Sequence, residues 1–113
     1  MKKHILRFRK IDKGIFDDIK KGLKTIETRA ATIKFRNIKK GDTLVFLCDK
    51  EKFNKEVIEV KHFKSIDNMA KNLDIKKVMP QISSLKEMKA VYYCFPGYQE
   101  KIKKFGLIAV RFK

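Results

Sequence analysis

"GDTLVFLCDKEKFNKEVIEVKHF", residues 41–63, holds the pattern from which the architecture follows. The apolar run from Leu44 to Cys48 does not alternate, the mark of a short strand buried on both faces. Gly41-Asp42 supplies the turn into it. Ile58 and Val60 then alternate with Glu59 and Lys61, the period of a half-buried strand with one wet face. Two such runs in succession predict a hairpin or meander over residues 43–63.

Upstream, "HILRFRK" (4–10) sets Leu6 and Phe8 against Arg7 and Arg9, a strand with a basic outer row. "DKGIFDDIKKGLK" (12–24) places Ile15, Phe16, Ile19 and Leu23 at helical spacing, with Asp12 as N-cap and Gly22 near the exit. Residues 25–30 read as extended. Downstream, Ser65 opens a short helical stretch and Pro80 interrupts the chain. Ser84 caps "LKEMKAVYYCF" (85–95), whose Leu85, Met88, Val91, Tyr92 and Phe95 share one helical face. Pro96-Gly97 ends that helix, and "LIAVRF" (107–112) closes the sheet. The order is strand, helix, three strands, helices, strand. It predicts an α+β fold, a small open β-barrel flanked by helices, built as one domain over residues 1–113 with no linker or repeat.

The chain carries 29 Lys and Arg against 13 Asp and Glu, a net charge of +16. A field of that sign attracts polyanions, and nucleic acid is the commonest partner. Only five of the cations are arginine, so a lysine-rich solvated surface is the competing account. Cys48 and Cys94 have neither metal-ligand nor disulfide-framework spacing and read as free, buried thiols of a reducing, cytoplasmic compartment. His4 and His62 lie in predicted strands without ligand partners, so no metal is expected. No apolar run reaches the ~18 residues of a membrane span.

"GLKTIETRA" (22–30) is the stretch with chemical content. In an extended strand Glu27 and Arg29 share one face while Ile26 and Thr28 share the other, so Glu27 and Arg29 are placed to pair. Lys24 has the wrong parity and must reach the same place from the helix-to-strand junction, where Gly22 gives the backbone freedom for a sharp exit. Charge on the inner face of a small barrel is tolerated when it is paired or functional. The alternative is a surface salt bridge on an edge strand.

The pattern Gly22, Lys24, Glu27, Arg29 resembles the G-x-K-x-x-E-x-R signature of the ASCH domain, a small barrel of the PUA-like group. "KFRNIKKGDTLVF" resembles that family's basic loop, turn and strand. "VMPQISSLKEMKAVYYCF" and "KKFGLIAVRF" resemble the later segments of its compact stand-alone members. The resemblance implies a PUA-like open β-barrel with a cleft between barrel and helices, and a role in binding RNA or a nucleotide. It assigns Lys24, Glu27 and Arg29 to the cleft. Lys34 and Arg36 in the basic loop are the next candidates for backbone phosphates. Tyr92 is a candidate by the V-Y match, though its place on the apolar helix face favours the core, and Tyr93 and Tyr98 are candidate stacking platforms.

Two enzymatic alternatives attach to the same cleft. One branch of the family resembles acetylcytidine amidohydrolases, but Glu27 stands where that branch has its threonine nucleophile. Neither Thr25 nor Thr28 replaces it, and Asp74 stands alone where a distant glutamate is expected. A metal-independent ribonuclease would need only Lys24, Glu27 and a tyrosine as proton carriers and charge stabilisers. A third class is a non-catalytic module binding a protein or a small anion. No cofactor is expected under any of the three, and the sequence leaves the oligomeric state open.

Overall fold

The computed structural model describes residues 1–113. Its elements are β1 (Lys3–Phe8), a single 3-10 turn (Lys10–Asp12), α1 (Lys13–Lys20), β2 (Ile26–Ala30), β3 (Thr43–Cys48), β4 (Glu51–Phe63), α2 (Ile66–Asn72), α3 (Ile75–Val78), α4 (Leu85–Cys94), α5 (Tyr98–Phe105) and β5 (Leu107–Phe112). The five strands form one curled sheet in the order β1-β3-β4-β5-β2, with β1 parallel to β3 and every other pair antiparallel. Long β4 serves both halves, pairing first with β3 and then with β5. The result is the expected α+β open barrel, with β1 and β2 as its two unpaired edges.

Two apolar layers explain why the chain adopts these strands. One fills the barrel with Leu6, Leu44, Phe46, Val57, Val110 and Phe112, and α1 seals it with Phe16 and Ile19. Phe46 anchors an aromatic group, stacked on Phe53 at 5.1 Å and edge-on to Phe112 at 5.3 Å, geometries that add to simple burial. The other layer joins Ile26, Ala30, Leu107 and Ala109 to Met69, Met88, Tyr92 and Ile102 of the helices. β5 is therefore buried on both faces: Ile108 and Val110 enter the barrel while Leu107 and Ala109 meet the helices.

Four details depart from the sequence reading. Leu23 is 60% exposed because α1 ends at Lys20 and Gly22 turns at φ +83, out of helical phase. A register shift between Val57 and Glu59 breaks the alternation in β4, so Val57 and Val60 both face the barrel layer although they are three apart. Residues 98–105 form a helix, α5, whose low apolar content hid it: of its residues only Ile102 is buried. Finally, Cys94 is exposed while Cys48 is buried, and both are free. Ser65 and Ser84 do cap α2 and α4, accepting from the backbone N–H of Asn68 and Glu87 at 3.1 and 3.2 Å.

Candidate functional site

The barrel does not close by backbone pairing between β1 and β2, and side chains of residues 22–30 occupy that seam. β2 gives one edge to β5 and leaves the other free. Phe112 N donates to Thr25 O and Ala31 N to Gly106 O, so the alternate residues Ile26, Thr28 and Ala30 turn their backbone groups away from β5. The free groups do not stay bare. Lys24 Nζ donates to the Ile26 carbonyl at 2.6 Å, Glu27 Oε1 accepts from Thr28 N at 3.2 Å, and Tyr98 OH accepts from Ala30 N at 3.3 Å.

Lys24 does reach the strand from the helix-to-strand junction. It is 3% exposed, and its ammonium faces three acceptors: the carbonyls of Ile26 and Val78 and Glu27 Oε1 at 3.4 Å. Burial lowers its pKa below the ordinary lysine value, and the Glu27 carboxylate partly opposes that fall. Glu27, 6% exposed, lies on the barrel side of β2 with Arg29, which donates from Nε to Glu27 Oε2 at 3.1 Å. The Arg29 guanidinium packs over the rings of Phe8 and Phe35 at 5.0 and 5.4 Å and donates to the Arg7 carbonyl at 3.4 Å, bridging the two edge strands. One carboxylate thus serves two cations, a formal excess of one positive charge.

Above this floor lies a cavity of about 230 Å³. Lys24, Glu27, Thr28 and Arg29 line its base, Phe8, Ile15, Val91 and Phe95 its apolar walls, and Arg7 and Arg9 its mouth. Glu27 and Thr28 both border it although they point to opposite faces of β2, because the cavity straddles the strand's free edge. Thr28 Oγ1 is hydrogen bonded to Tyr92 OH, which lies in the helix layer yet reaches the cavity; burial pushes the Tyr92 phenol well above its ordinary pKa. Burial also raises Tyr98, which lines the same cavity while the Arg29 charge pulls the other way.

The structure therefore brings together Lys24, Glu27, Arg29, Tyr92 and Tyr98. It does not bring Lys34, Arg36 or Tyr93 to the cavity. Tyr93 is on the outer face of α4 and 44% exposed, while Lys34 and Arg36 sit on the exposed turn after β2, with Lys34 Nζ 5.3 Å from the Phe35 ring that also carries Arg29. Sequence reading missed Arg7 and Arg9, placed on a basic outer row; β1 ends beside β2 at the seam, so the row's last members frame the mouth. Arg9 packs over Phe95 at 5.4 Å and pairs with Asp12 at 2.8 Å. His4 has a carboxylate partner after all: Asp42 is 2.8 Å away and also accepts from the backbone N–H of Lys39 and Lys2. These contacts hold the Asp42 carboxyl below the usual range, with the His4 hydrogen bond the largest cause, and they pin the turn before β3. No cluster of three His, Cys, Asp or Glu side chains suited to a metal ion occurs, and no helix is long and apolar enough to cross a membrane.

The ASCH domain model matches residues 10–113, nearly the whole chain and all the elements that build the seam except β1. This chain belongs to the ASCH domain family. Among solved structures, this ASCH protein is similar over 100% of its length to 98% of the hypothetical protein PH0355, known from a crystal structure, at 29% identity and a TM-score of 0.85. It is similar over 98% of its length to 96% of protein PF0455 from Pyrococcus furiosus, known from a solution NMR structure, at 27% identity and a TM-score of 0.76. No curated protein matches it.

Proposed function

We propose that residues 1–113 act as one ASCH-type domain that binds RNA or a nucleotide-like anion in the cavity at the β1/β2 seam. The observation that carries this reading is the floor charge: Lys24 and Arg29 share the single carboxylate of Glu27 beneath apolar and aromatic walls. A positive charge held in such a place is relieved by an anion, and flat apolar walls accept a base beside its phosphate. Arg7 at the mouth extends the same preference, while Arg9 there is neutralised by Asp12. The family's link to RNA binding and the chain's +16 charge point the same way. The volume, just under the ~300–1,000 Å³ of sites for drug-sized ligands, suits one nucleotide unit rather than a folded duplex.

Binding is better supported than proton transfer. The Lys24 ammonium already donates to two backbone carbonyls and pairs with Glu27, and the Tyr92 hydroxyl is engaged by Thr28 with its ionisation suppressed by burial. Short single-stranded RNA titrated against the native protein, Arg29→Ala, Arg7→Ala and a Lys113→Ala control, at low and moderate salt, tests the reading. The expectation is a loss of tenfold or more in affinity for Arg29→Ala, a smaller loss for Arg7→Ala and none for the control. Equal binding by all four proteins would sink the cavity as the site, and shortened RNA in the same mixtures would move the reading to a ribonuclease.

A further inference from the structure

The strand registers gather a second basic surface outside the cavity. Ala30 of β2 and Phe63 of β4 are both paired with Leu107 of β5, so three strands stop in one row at one end of the barrel. The segments beyond that row are held against each other by backbone contacts. Ala31 N donates to Gly106 O at 2.9 Å. Gly106, at φ +76, approaches β4 so closely that a Cβ there would stand 2.5 Å from the Phe63 carbonyl oxygen and 3.7 Å from Lys64 Cα. Only glycine fits both the dihedral and the approach.

Those three segments, residues 31–36, residue 64 and residues 103–106, contain Lys34, Arg36, Lys64, Lys103 and Lys104, all exposed, and not one carboxylate. None of the five makes an ion pair; the nearby Asp67 of α2 is taken by Lys89 at 3.0 Å. Among them Phe105 is 38% exposed, with Lys104 Nζ 5.2 Å from its ring centre, and Ile33 is exposed on the neighbouring turn. Unpaired cations around an open aromatic ring are the ingredients with which proteins hold single-stranded nucleic acid, phosphates on the charges and a base on the ring.

We propose that this barrel end is a second contact surface for single-stranded RNA, continuous with the cavity and independent of it for folding. The inference rests on RNA being the partner of the cavity. Two links join the surfaces. α5 starts at Tyr98, which lines the cavity, and ends at Phe105, about 10 Å further at 1.5 Å per residue. The Phe35 ring carries Arg29 of the cavity and also Lys34 of the outer surface. A mononucleotide fills the cavity alone; an oligonucleotide leaving it runs along α5 onto Lys103, Lys104 and Phe105.

The test compares binding of a nucleoside monophosphate and of an unstructured RNA of about ten nucleotides, within the ~4–16 site size of comparable surfaces. The proteins are the native chain, Lys103→Glu/Lys104→Glu, Phe105→Ala, Arg29→Ala and a charge-matched control, Lys50→Glu/Lys52→Glu, at the turn between β3 and β4 and the start of β4. The double substitution is expected to cut oligonucleotide affinity by tenfold or more and to flatten its salt dependence, by about 0.7 in log–log slope for each phosphate that is no longer neutralised. Phe105→Ala is expected to weaken the oligonucleotide several-fold with the slope unchanged. Mononucleotide binding should be the same in both variants as in the native chain. The proposal is overturned if both variants bind the oligonucleotide like the native chain, or if the Lys50/Lys52 control loses as much. It also falls if mononucleotide binding drops in step. Failure of the cavity reading leaves a different trace: Arg29→Ala then changes neither ligand, while the barrel-end variants still weaken the oligonucleotide.

Discussion

Lys24 and Lys103 are the same residue put to opposite uses. Lys24 is enclosed at the seam, facing two carbonyls and a carboxylate, and it mends the free edge of β2 while charging the cavity floor. Lys103 stands in solvent on α5, without an ion-pair partner, in a group of like charges that nothing in the fold requires. Formal charge counts both equally. What separates them is desolvation: a buried cation costs several kcal/mol unless its neighbours replace the water it lost, so its surroundings are specified, whereas an exposed one costs nothing and specifies nothing. Under the proposed reading, the first kind of lysine ties function to stability, and the second leaves function free to be tuned.

The sharpest way to break that contrast is to remove the two charges in turn. Lys24→Met leaves two buried carbonyls without a donor and Glu27 with Arg29 as its one cation, and is expected to cost ~3–5 kcal/mol, the range for breaking a buried pair; Lys103→Met is expected to stay within ~0.5 kcal/mol. Urea unfolding of both proteins measures the difference, and equal midpoints would show that the seam is not held by Lys24. A smaller effect is expected where a neutral pair crosses the same boundary. Tyr92→Phe leaves Thr28 Oγ1 without its partner and should cost ~1–3 kcal/mol, while adding Thr28→Val should recover part of the loss, because removing both hydroxyls leaves nothing unsatisfied. Tyr93→Phe, one position away on the exposed face, serves as the neutral reference.

The smallest effect concerns pH. Burial lowers the Lys24 pKa from its ordinary value, so between its folded and unfolded pKa the unfolded chain binds more protons than the native one. The contribution of Lys24 to stability therefore rises as pH climbs through the folded pKa and levels off above the unfolded value of about 10.4. Carbon-detected NMR titration of the lysine side chains reads this directly: the Lys24 resonance should titrate below that ordinary value. A Lys24 that titrates at or above it would mean that Glu27 outweighs burial and that the floor charge is fixed through the whole accessible pH range.

The sheet was legible because its signals are local. The run from Leu44 to Cys48, the closing Leu107–Phe112 segment and the serines at positions 65 and 84 each carry their own period or cap, and all four lie where those patterns put them. α5 was not, because its apolar stripe is only three residues, Tyr98, Ile102 and Phe105, set among lysines and polar residues, and of these only Ile102 is fully buried. The β4 irregularity was hidden for a related reason: an extra residue at a bulge erases the parity on which strand reading depends. In the cleft, the pairing of Glu27 with Arg29 followed from strand parity, and the entry of Lys24 from the junction followed from its failure to fit that parity. Lys34 and Arg36 lie outside the cavity lining because proximity along the chain says nothing about which way a turn leaves a strand.

The sequence by itself determined the number and order of strands, the family, the caps of two helices and the presence of charge on an inward strand face. Those features rest on residue spacing and on the preferences of single side chains, which are written along the chain. Only the tertiary structure decided that β1 and β2 face each other unpaired, that Arg7, Arg9 and Phe95 complete the cavity, and that Lys64, Lys103 and Lys104 share one end of the barrel with Arg36. These juxtapose segments tens of residues apart, and the physical reason they escape the sequence is that curvature and register, set by the packing of two whole apolar layers, choose which distant segments meet.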